Sequence, residues 1–207
     1  MAVNRIDDIN SIQIDALAEI GTIGSGNAVT ALSNLLGKEI TIAVPKVRIM
    51  NFNDAVEFIG GPENIVVGLL VRLGGDIQGM MMFVLQAGFA KNIVHSLFGK
   101  QLDDIYDADE MDFSAISEIG NILSASYVNA LSTLTGLSIE ISVPSVCIDM
   151  AGAILSVPAI EFARIGNKVM FIDDTFSIDG GTLKSNMILV PEMDSLNLLF
   201  SRLGVGG

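Results

Sequence analysis

The sequence contains one segment twice, with the second copy displaced by 99 positions. Glu19-Ile20-Gly21 opens the first copy and Glu118-Ile119-Gly120 opens the second. Of the 32 positions from 19 to 50, 17 carry the same residue in both copies. Most matches are apolar residues or glycine, which a shared fold requires, but the fold alone does not explain a repeated glutamate. The repeat therefore predicts two homologous halves and directs the search for function to Glu19 and Glu118.

The composition is apolar, yet the individual apolar stretches are short. Half of the 207 residues are hydrophobic and the mean hydropathy is +0.57. The longest apolar stretches, at residues 65–71 and 79–85, fall far short of the ~20 residues that span a bilayer, and adjacent turn residues indicate buried strands. The N-terminal residues lack the apolar core of a signal peptide. We therefore expect a cytoplasmic protein that does not interact with a membrane.

Charge and residue counts exclude several classes of function. The net charge of −13 argues against binding to nucleic acid, whose phosphates require a positive surface, and suits a partner that presents lysine or arginine. Cys147 is the single cysteine and His95 the single histidine, which excludes an internal disulfide and a cysteine-rich or multi-histidine metal site. We expect no metal or cofactor in this chain. Cys147 lies in an alternating, strand-like run, which predicts a buried and unreactive thiol.

The apolar pattern predicts the same order of elements in both halves. The first half is expected to contain a helix over 11–37, strands over 38–50, 65–73 and 77–85, and a helix over 87–98. The second is expected to contain a helix over 112–135, strands over 138–150, 168–176 and 183–190, a helix over 193–203, and a six-residue insertion between 151 and 167. Pro45 predicts a sheet edge or a bulge. Three glycines in the first helix, at 21, 24 and 26, predict either a close approach to its homologue or a flat surface for a partner.

These elements predict an α+β fold in a single domain over residues 1–207. Repeat one spans about 11–99, an acidic linker about 100–111, and repeat two about 112–204. We expect two intertwined, pseudo-symmetric repeats that share an antiparallel sheet, with the two homologous helices side by side on one face.

Polar residues occupy one face of each of these two helices. Positions i−4, i and i+3 lie on one helix face, and in the second copy they are Ser114, Glu118 and Asn121. A carboxylate and a carboxamide are poor nucleophiles, but they can bind and orient other groups. Asn121 offers one acceptor oxygen and two donor hydrogens, so it can hold a water in line with an electrophile. This face therefore predicts a binding and positioning site.

The same spacing, extended to a proline, carries a family resemblance. The pattern [Asp/Ser]-x3-Glu-x2-Asn-x22-Pro resembles the signature of the CheC/CheX/FliY family of chemotaxis phosphatases. Ser114, Glu118, Asn121 and Pro144 fit it at every spacing. In the first copy Asp15, Glu19 and Pro45 fit, whereas Thr22 stands where asparagine is expected.

The resemblance implies a substrate and a role for each motif residue. The substrate would be the aspartyl phosphate of the response regulator CheY, which would supply its own Mg²⁺ and lysine. Glu118 would pair with that lysine and Asn121 would orient the attacking water, so that catalysis would come from positioning. Glu19 would act equivalently in a first site that is weak or silent, because threonine lacks the amide. Thr22→Asn is then expected to raise turnover.

A second partner and a non-enzymatic alternative follow from the same resemblance. Residues 147–153 resemble the region with which such proteins dock to the receptor deamidase CheD, and Asp149 is the candidate contact; an ordinary strand-end aspartate is an equally good interpretation. The chain could instead be a non-catalytic adaptor that binds phosphorylated CheY, CheD or both. Asn121 discriminates between these functions, since a pure binder tolerates its loss. A flagellar-switch scaffold is disfavoured because no additional domain is expected.

Overall fold

The computed structural model describes residues 3, 5–161, 168–179 and 181–206. The described residues form six α-helices: α1 (Ser11–Leu36), α2 (Phe52–Ile59), α3 (Ala87–Phe98), α4 (Glu110–Thr135), α5 (Ala151–Glu161) and α6 (Met193–Arg202). They also form eight strands: β1 (Ile40–Ile42), β2 (Lys46–Asn51), β3 (Ile65–Gly75), β4 (Gly79–Gln86), β5 (Ile139–Ile141), β6 (Ser145–Met150), β7 (Lys168–Ile178) and β8 (Gly181–Pro191). No helix in these described ranges is both long enough and apolar enough to cross a membrane.

The strands of the two repeats alternate within one antiparallel sheet. The order is β1-β7-β8-β4-β3-β5, with β2 also paired to β7 and β6 also paired to β3. The edge strands β1 and β2 of the first repeat therefore pair with β7 of the second, while β5 and β6 of the second repeat pair with β3 of the first. Each repeat completes the sheet of the other, which confirms the prediction of an intertwined α+β fold.

Helices cover both faces of the sheet and create two cores. Alternate residues of a strand point to opposite faces. On β3, Val67 and Leu69 pack into the core beneath α1, α3, α4 and α6, whereas Val66 packs into the core beneath α2 and α5. Phe171 of β7 likewise faces α2 and α5. Burial on both faces explains why the central strands are continuous apolar runs.

The two long helices α1 and α4 pack directly against each other, as predicted. Asn10 caps α1 by accepting a hydrogen bond from the Gln13 backbone N–H, and Gly37 ends it in a left-handed conformation. A Cβ atom added to Gly24 would lie 2.7 Å from Cδ1 of Tyr127 on α4. The absence of a side chain at Gly24 therefore permits the close approach, which confirms the expectation for this glycine. For the other two glycines the expectation of a close approach to the homologous helix was wrong: a Cβ atom at Gly21 would meet Ile172 and Pro45, and one at Gly26 would have nothing within 4 Å.

A buried polar cluster ties α1 and α4 to β7. The Ser25 hydroxyl donates a hydrogen bond of 2.8 Å to Asp174, and the Tyr127 hydroxyl donates one of 2.5 Å to its other oxygen. The two hydroxyl oxygens are 2.7 Å apart. Burial raises the pKa of the Asp174 carboxyl from 3.8 to about 6, although the two hydrogen bonds partly oppose the shift.

This raised pKa predicts a pH-dependent contribution to stability. Between the ordinary carboxyl pKa of 3.8 and about 6, the folded state retains a proton on Asp174 that the unfolded chain has lost, so the free energy of unfolding falls as the pH rises. Asp174→Asn removes this titration while preserving hydrogen bonding to both hydroxyls. We expect the stability of the variant, relative to wild type, to rise by about 1 kcal/mol between pH 5 and pH 8. Urea unfolding at several pH values in this range measures the free energy of unfolding of both proteins. A difference between them that does not change with pH would contradict the role of Asp174.

The sequence-based prediction differs from the structure in two respects. The strands predicted over 38–50 and 138–150 are each interrupted before Pro45 and Pro144. Short helices α2 and α5, on the second face of the sheet, were not predicted. The expected insertion falls partly in α5, which has 11 residues against 8 in α2. The remainder of that prediction concerns residues 162–167, which lie outside the described part of the chain.

Candidate functional site

The predicted site residues of the second copy lie on the outer face of α4. Ser114, Glu118 and Asn121 are exposed, while Ile119 and Gly120 between them are buried against the sheet. Within the described residues, the side chains of Glu118 and Asn121 take part in no hydrogen bond or ion pair, so their polar atoms remain accessible to a partner. The helix thus presents a carboxylate and a carboxamide one turn apart.

The first copy has the same arrangement on α1 with one chemical difference. Asp15, Glu19 and Thr22 are exposed. The Thr22 hydroxyl donates a hydrogen bond of 2.9 Å to the Ala18 carbonyl of its own helix. The only hydrogen-bond donor of the Thr22 side chain is therefore used within its own helix. Thr22 also lacks the amide that Asn121 carries at the equivalent position.

The repeated glycine and proline support the position of each motif helix. A Cβ atom at Gly120 would lie 3.3 Å from the Cβ of Pro144 and 3.2 Å from Leu69 of β3. At Gly21 the corresponding distance to the Cβ of Pro45 is 3.8 Å. Both prolines are buried. The proline rings carry no reactive group. Their contribution to the site is to pack beneath the motif helix.

Large exposed apolar side chains accompany both motifs and were not singled out from the sequence. Ile12 and Met111, at equivalent positions of α1 and α4, are 64% and 65% exposed. Val44 and Val143, which precede the two prolines, are 78% and 82% exposed. The repeat could have indicated these residues, because the two members of each pair are 99 positions apart in the sequence.

Cys147 and Asp149 lie on a different face from the motif residues, beside α5. Together with Ile154 and Val157 they line a mainly apolar cavity of about 210 Å³ between β6 and α5. The Asp149 carboxylate accepts a hydrogen bond of 2.7 Å from the Met150 backbone N–H. The prediction that Cys147 is buried was wrong: β6 buries its other face under α4, while α5 covers the face of Cys147 incompletely.

The side chains of the α4 site are of types that can bind and orient other groups. Among the residues that the structure describes, no group of three or more histidine, cysteine, aspartate or glutamate side chains is placed to hold a metal ion. The Glu118 carboxylate can pair with a cation, and the Asn121 amide can donate and accept hydrogen bonds. Such a site can assist a reaction whose reactive group is carried by another molecule.

Comparison with known proteins identifies relatives by sequence. The sequence model described as the CheC-like family matches residues 12–49 and 111–148, which contain all but the first residue of each motif helix. CheY-P phosphatase CheC of Bacillus subtilis (strain 168) is 36% identical over 200 residues, which are 95% of this chain and 96% of that protein. Flagellar motor switch phosphatase FliY of the same organism is 28% identical over 148 residues, which are 70% of this chain and 38% of FliY.

Solved structures share the fold at lower sequence identity. Thermotoga maritima FliY superimposes with a TM-score of 0.76 and 24% identity, covering 97% of this chain and 100% of that chain. The FliM middle domain from H. pylori gives a TM-score of 0.70 with 11% identity over 94% of this chain and 99% of its own. These similarities establish the fold alone. Because a relative 36% identical aligns over nearly the whole of both proteins and the family model matches both repeats, this chain belongs to the CheC-like family.

Proposed function

We propose that this protein hydrolyses the aspartyl phosphate of the response regulator CheY. The observation that carries the proposal is the 36% identity to a CheY-P phosphatase over 95% of this chain. The exposed pair of Glu118 and Asn121 on α4 supports it, because the pair supplies recognition and orientation without a nucleophile of its own. In this proposal CheY carries the reactive phosphoryl group together with its Mg²⁺ and its lysine.

In the proposed mechanism the substrate needs only a correctly placed water. The Asn121 amide accepts a hydrogen bond from the water and donates one to the phosphoryl group, which places the water oxygen in line with phosphorus. That oxygen bonds to phosphorus as the bond from phosphorus to the aspartyl oxygen breaks. Inorganic phosphate and the free aspartate carboxylate are the products. The acceleration comes from orientation, which removes an entropic part of the barrier.

The two sites are proposed to differ in activity because of a single position. Asp15 and Glu19 offer the same docking groups in the first site as Ser114 and Glu118 in the second. Thr22 cannot orient water as Asn121 does, since its hydroxyl donates to its own helix. We therefore assign catalysis to the second site and docking at most to the first.

Replacing the docking carboxylate tests this mechanism. We expect Glu118→Gln to lower kcat/KM for phosphorylated CheY by about tenfold at low salt, because it removes the charge that pairs with the regulator's lysine. The difference from wild type should shrink as salt is raised, since the screening length falls from about 10 Å at 0.1 M to about 3 Å at 1 M. The rate of decay of phosphorylated CheY, measured with each protein at both salt concentrations, gives this difference in kcat/KM.

A matched variant separates local pairing from a change in overall charge. Glu57→Gln removes the same charge from an exposed position on α2, across the sheet from α4. We expect Glu57→Gln to behave as wild type. Equal losses in the two variants, or a Glu118→Gln loss that does not depend on salt, would contradict a docking role for Glu118.

A second candidate function is an adaptor role through the receptor deamidase CheD. The cavity of about 210 Å³ beside α5 favours it, because an apolar pocket with the Asp149 carboxylate on its wall suits an apolar side chain next to a cation. This surface lies away from the α4 site, so both functions are compatible in one chain. Purified CheD should bind wild type more tightly than Asp149→Ala, and equal binding of the two would exclude this surface.

A further inference from the structure

The polar site on α4 continues into an exposed apolar side chain at the start of the helix. Met111 precedes Ser114, Glu118 and Asn121 by 3, 7 and 10 positions, which places all four within an arc of about 80° and a length of about 15 Å. The Met111 backbone N–H donates a hydrogen bond of 2.9 Å to the Asp109 side chain that caps α4. Met111 is therefore held in register with the site.

A second exposed apolar side chain is presented by the loop beneath the same helix. Val143 directly precedes Pro144, whose Cβ lies 3.3 Å from the Cβ position of Gly120, next to Asn121. The loop is fixed to β3, because the Ser142 backbone N–H and the Ser142 hydroxyl oxygen both bond to the backbone of Arg72, each at 3.0 Å. Val143 is 82% exposed, and the hydrogen bonds of Ser142 fix the backbone next to it. Its side chain is therefore held at a defined place on the surface.

Both features recur in the first copy. Ile12 occupies the position of Met111 on α1, and Val44 occupies the position of Val143 before Pro45. Single exposed apolar residues are normal on protein surfaces and by themselves need no function. Here two of them accompany the docking glutamate at both copies of the motif, on the helix face and on the adjoining loop.

An exposed ion pair explains orientation better than it explains binding. Charge pairs in water contribute little net affinity and mainly set register and association rate. Net affinity in protein association comes mainly from apolar surface that is removed from water when the partners meet. The site formed by Glu118 and Asn121 therefore lacks a source of affinity unless neighbouring apolar residues supply it.

We propose that Met111 and Val143 are apolar anchors that contact CheY when its phosphorylated aspartate is docked at Asn121. This inference rests on the proposed function and names the surface that supplies substrate affinity. The occupant is the receiver surface around the phosphorylated aspartate, because the anchors are continuous with the residues proposed to act on that group. Ile12 and Val44 provide the equivalent contact at the first site.

The double substitution Met111→Ser with Val143→Ser tests the anchors. We expect KM for phosphorylated CheY to rise at least about tenfold, while kcat at saturation stays as in wild type, because the water-positioning group is unchanged. Leu134→Ser is the control: Leu134 is exposed on α4, 13 residues beyond Asn121, and should leave both constants unchanged. An unchanged KM in the double variant, or an equal rise in Leu134→Ser, would overturn the proposal.

A binding titration keeps this inference separate from the proposed function. CheY loaded with beryllofluoride mimics the phosphorylated form without being hydrolysed. Because the first site keeps Ile12 and Val44, both proteins compared in the titration also carry Ile12→Ser and Val44→Ser. In this background we expect the loaded CheY to bind the protein with Met111→Ser and Val143→Ser at least about tenfold more weakly than the protein without them; equal affinity overturns the anchors even if wild type is an active phosphatase. Failure of wild type to accelerate hydrolysis would refute the phosphatase and leave the titration as the test of docking. An unfolding temperature equal to that of wild type would show that a variant is folded.

Discussion

Asn121→Ala is expected to reduce the acceleration of CheY dephosphorylation by at least about 100-fold, since removal of one group that orients a reacting atom has effects of this order. The exposed Asn121 side chain is the amide of the α4 motif, and unlike the Glu118 carboxylate it can both donate and accept hydrogen bonds. Alanine keeps the helix and the neighbouring Glu118, so binding to beryllofluoride-loaded CheY should persist. The rate of decay of phosphorylated CheY tests the loss of activity, and the binding constant for beryllofluoride-loaded CheY tests whether docking persists. Both are measured on the same protein preparations.

Two companion variants make this result specific. Asn129→Ala removes the same amide from an exposed position two turns further along α4 and should leave the decay rate unchanged. Thr22→Asn, introduced into the Asn121→Ala background, should restore part of the lost activity by supplying the amide to the first site. Continued activity of Asn121→Ala, or no recovery with Thr22→Asn, would contradict the assignment of catalysis to this amide.

Gly24→Ala is expected to lower the free energy of unfolding by about 2–3 kcal/mol, the cost of adding a methyl group to a closely packed core. The added Cβ would lie 2.7 Å from the Tyr127 ring and 3.1 Å from its Cα. The ring cannot move away freely, because its hydroxyl bonds to the buried Asp174 and Ser25. The two motif helices must therefore separate, and urea unfolding measures the cost.

Gly26→Ala is the matched control for this prediction. Gly26 is exposed on the same helix, with nothing within 4 Å of an added Cβ, and the second copy already carries Ala125 at the equivalent position. Alanine should stabilise the helix here by about 1 kcal/mol. A loss of stability at Gly26, or none at Gly24, would contradict the view that Gly24 alone permits the close contact of α1 with α4.

The repeat made the crossed sheet predictable, but it could not reveal the second layer of helices. Identical spacing from Glu19 and Glu118 to Pro45 and Pro144 required equivalent elements in both halves, and a roughly helical apolar pattern indicated the long helices. The segment of α2 is only eight residues long, which is about two helical turns, and α5 includes Pro158, which normally argues against a helix. Both helices are stabilised mainly by the sheet face that they cover.

The placement of the motif residues was more predictable than the exposure of the residues around them. The spacing of Ser114, Glu118 and Asn121 placed them on one helix face, which their common exposure on α4 matches. The exposure of Cys147 was not predictable, because alternation along a strand indicates two faces without indicating how completely each is covered. For the same reason the sequence did not distinguish Met111 and Val143 from buried apolar residues.

The central claim is tested most directly by the decay of phosphorylated CheY with and without a substoichiometric amount of the wild-type protein. Binding to beryllofluoride-loaded CheY should be measured in parallel. The proposed function predicts several turnovers per molecule of this protein and release of inorganic phosphate. Binding without any acceleration of decay would contradict it, and would identify the chain as an adaptor for phosphorylated CheY.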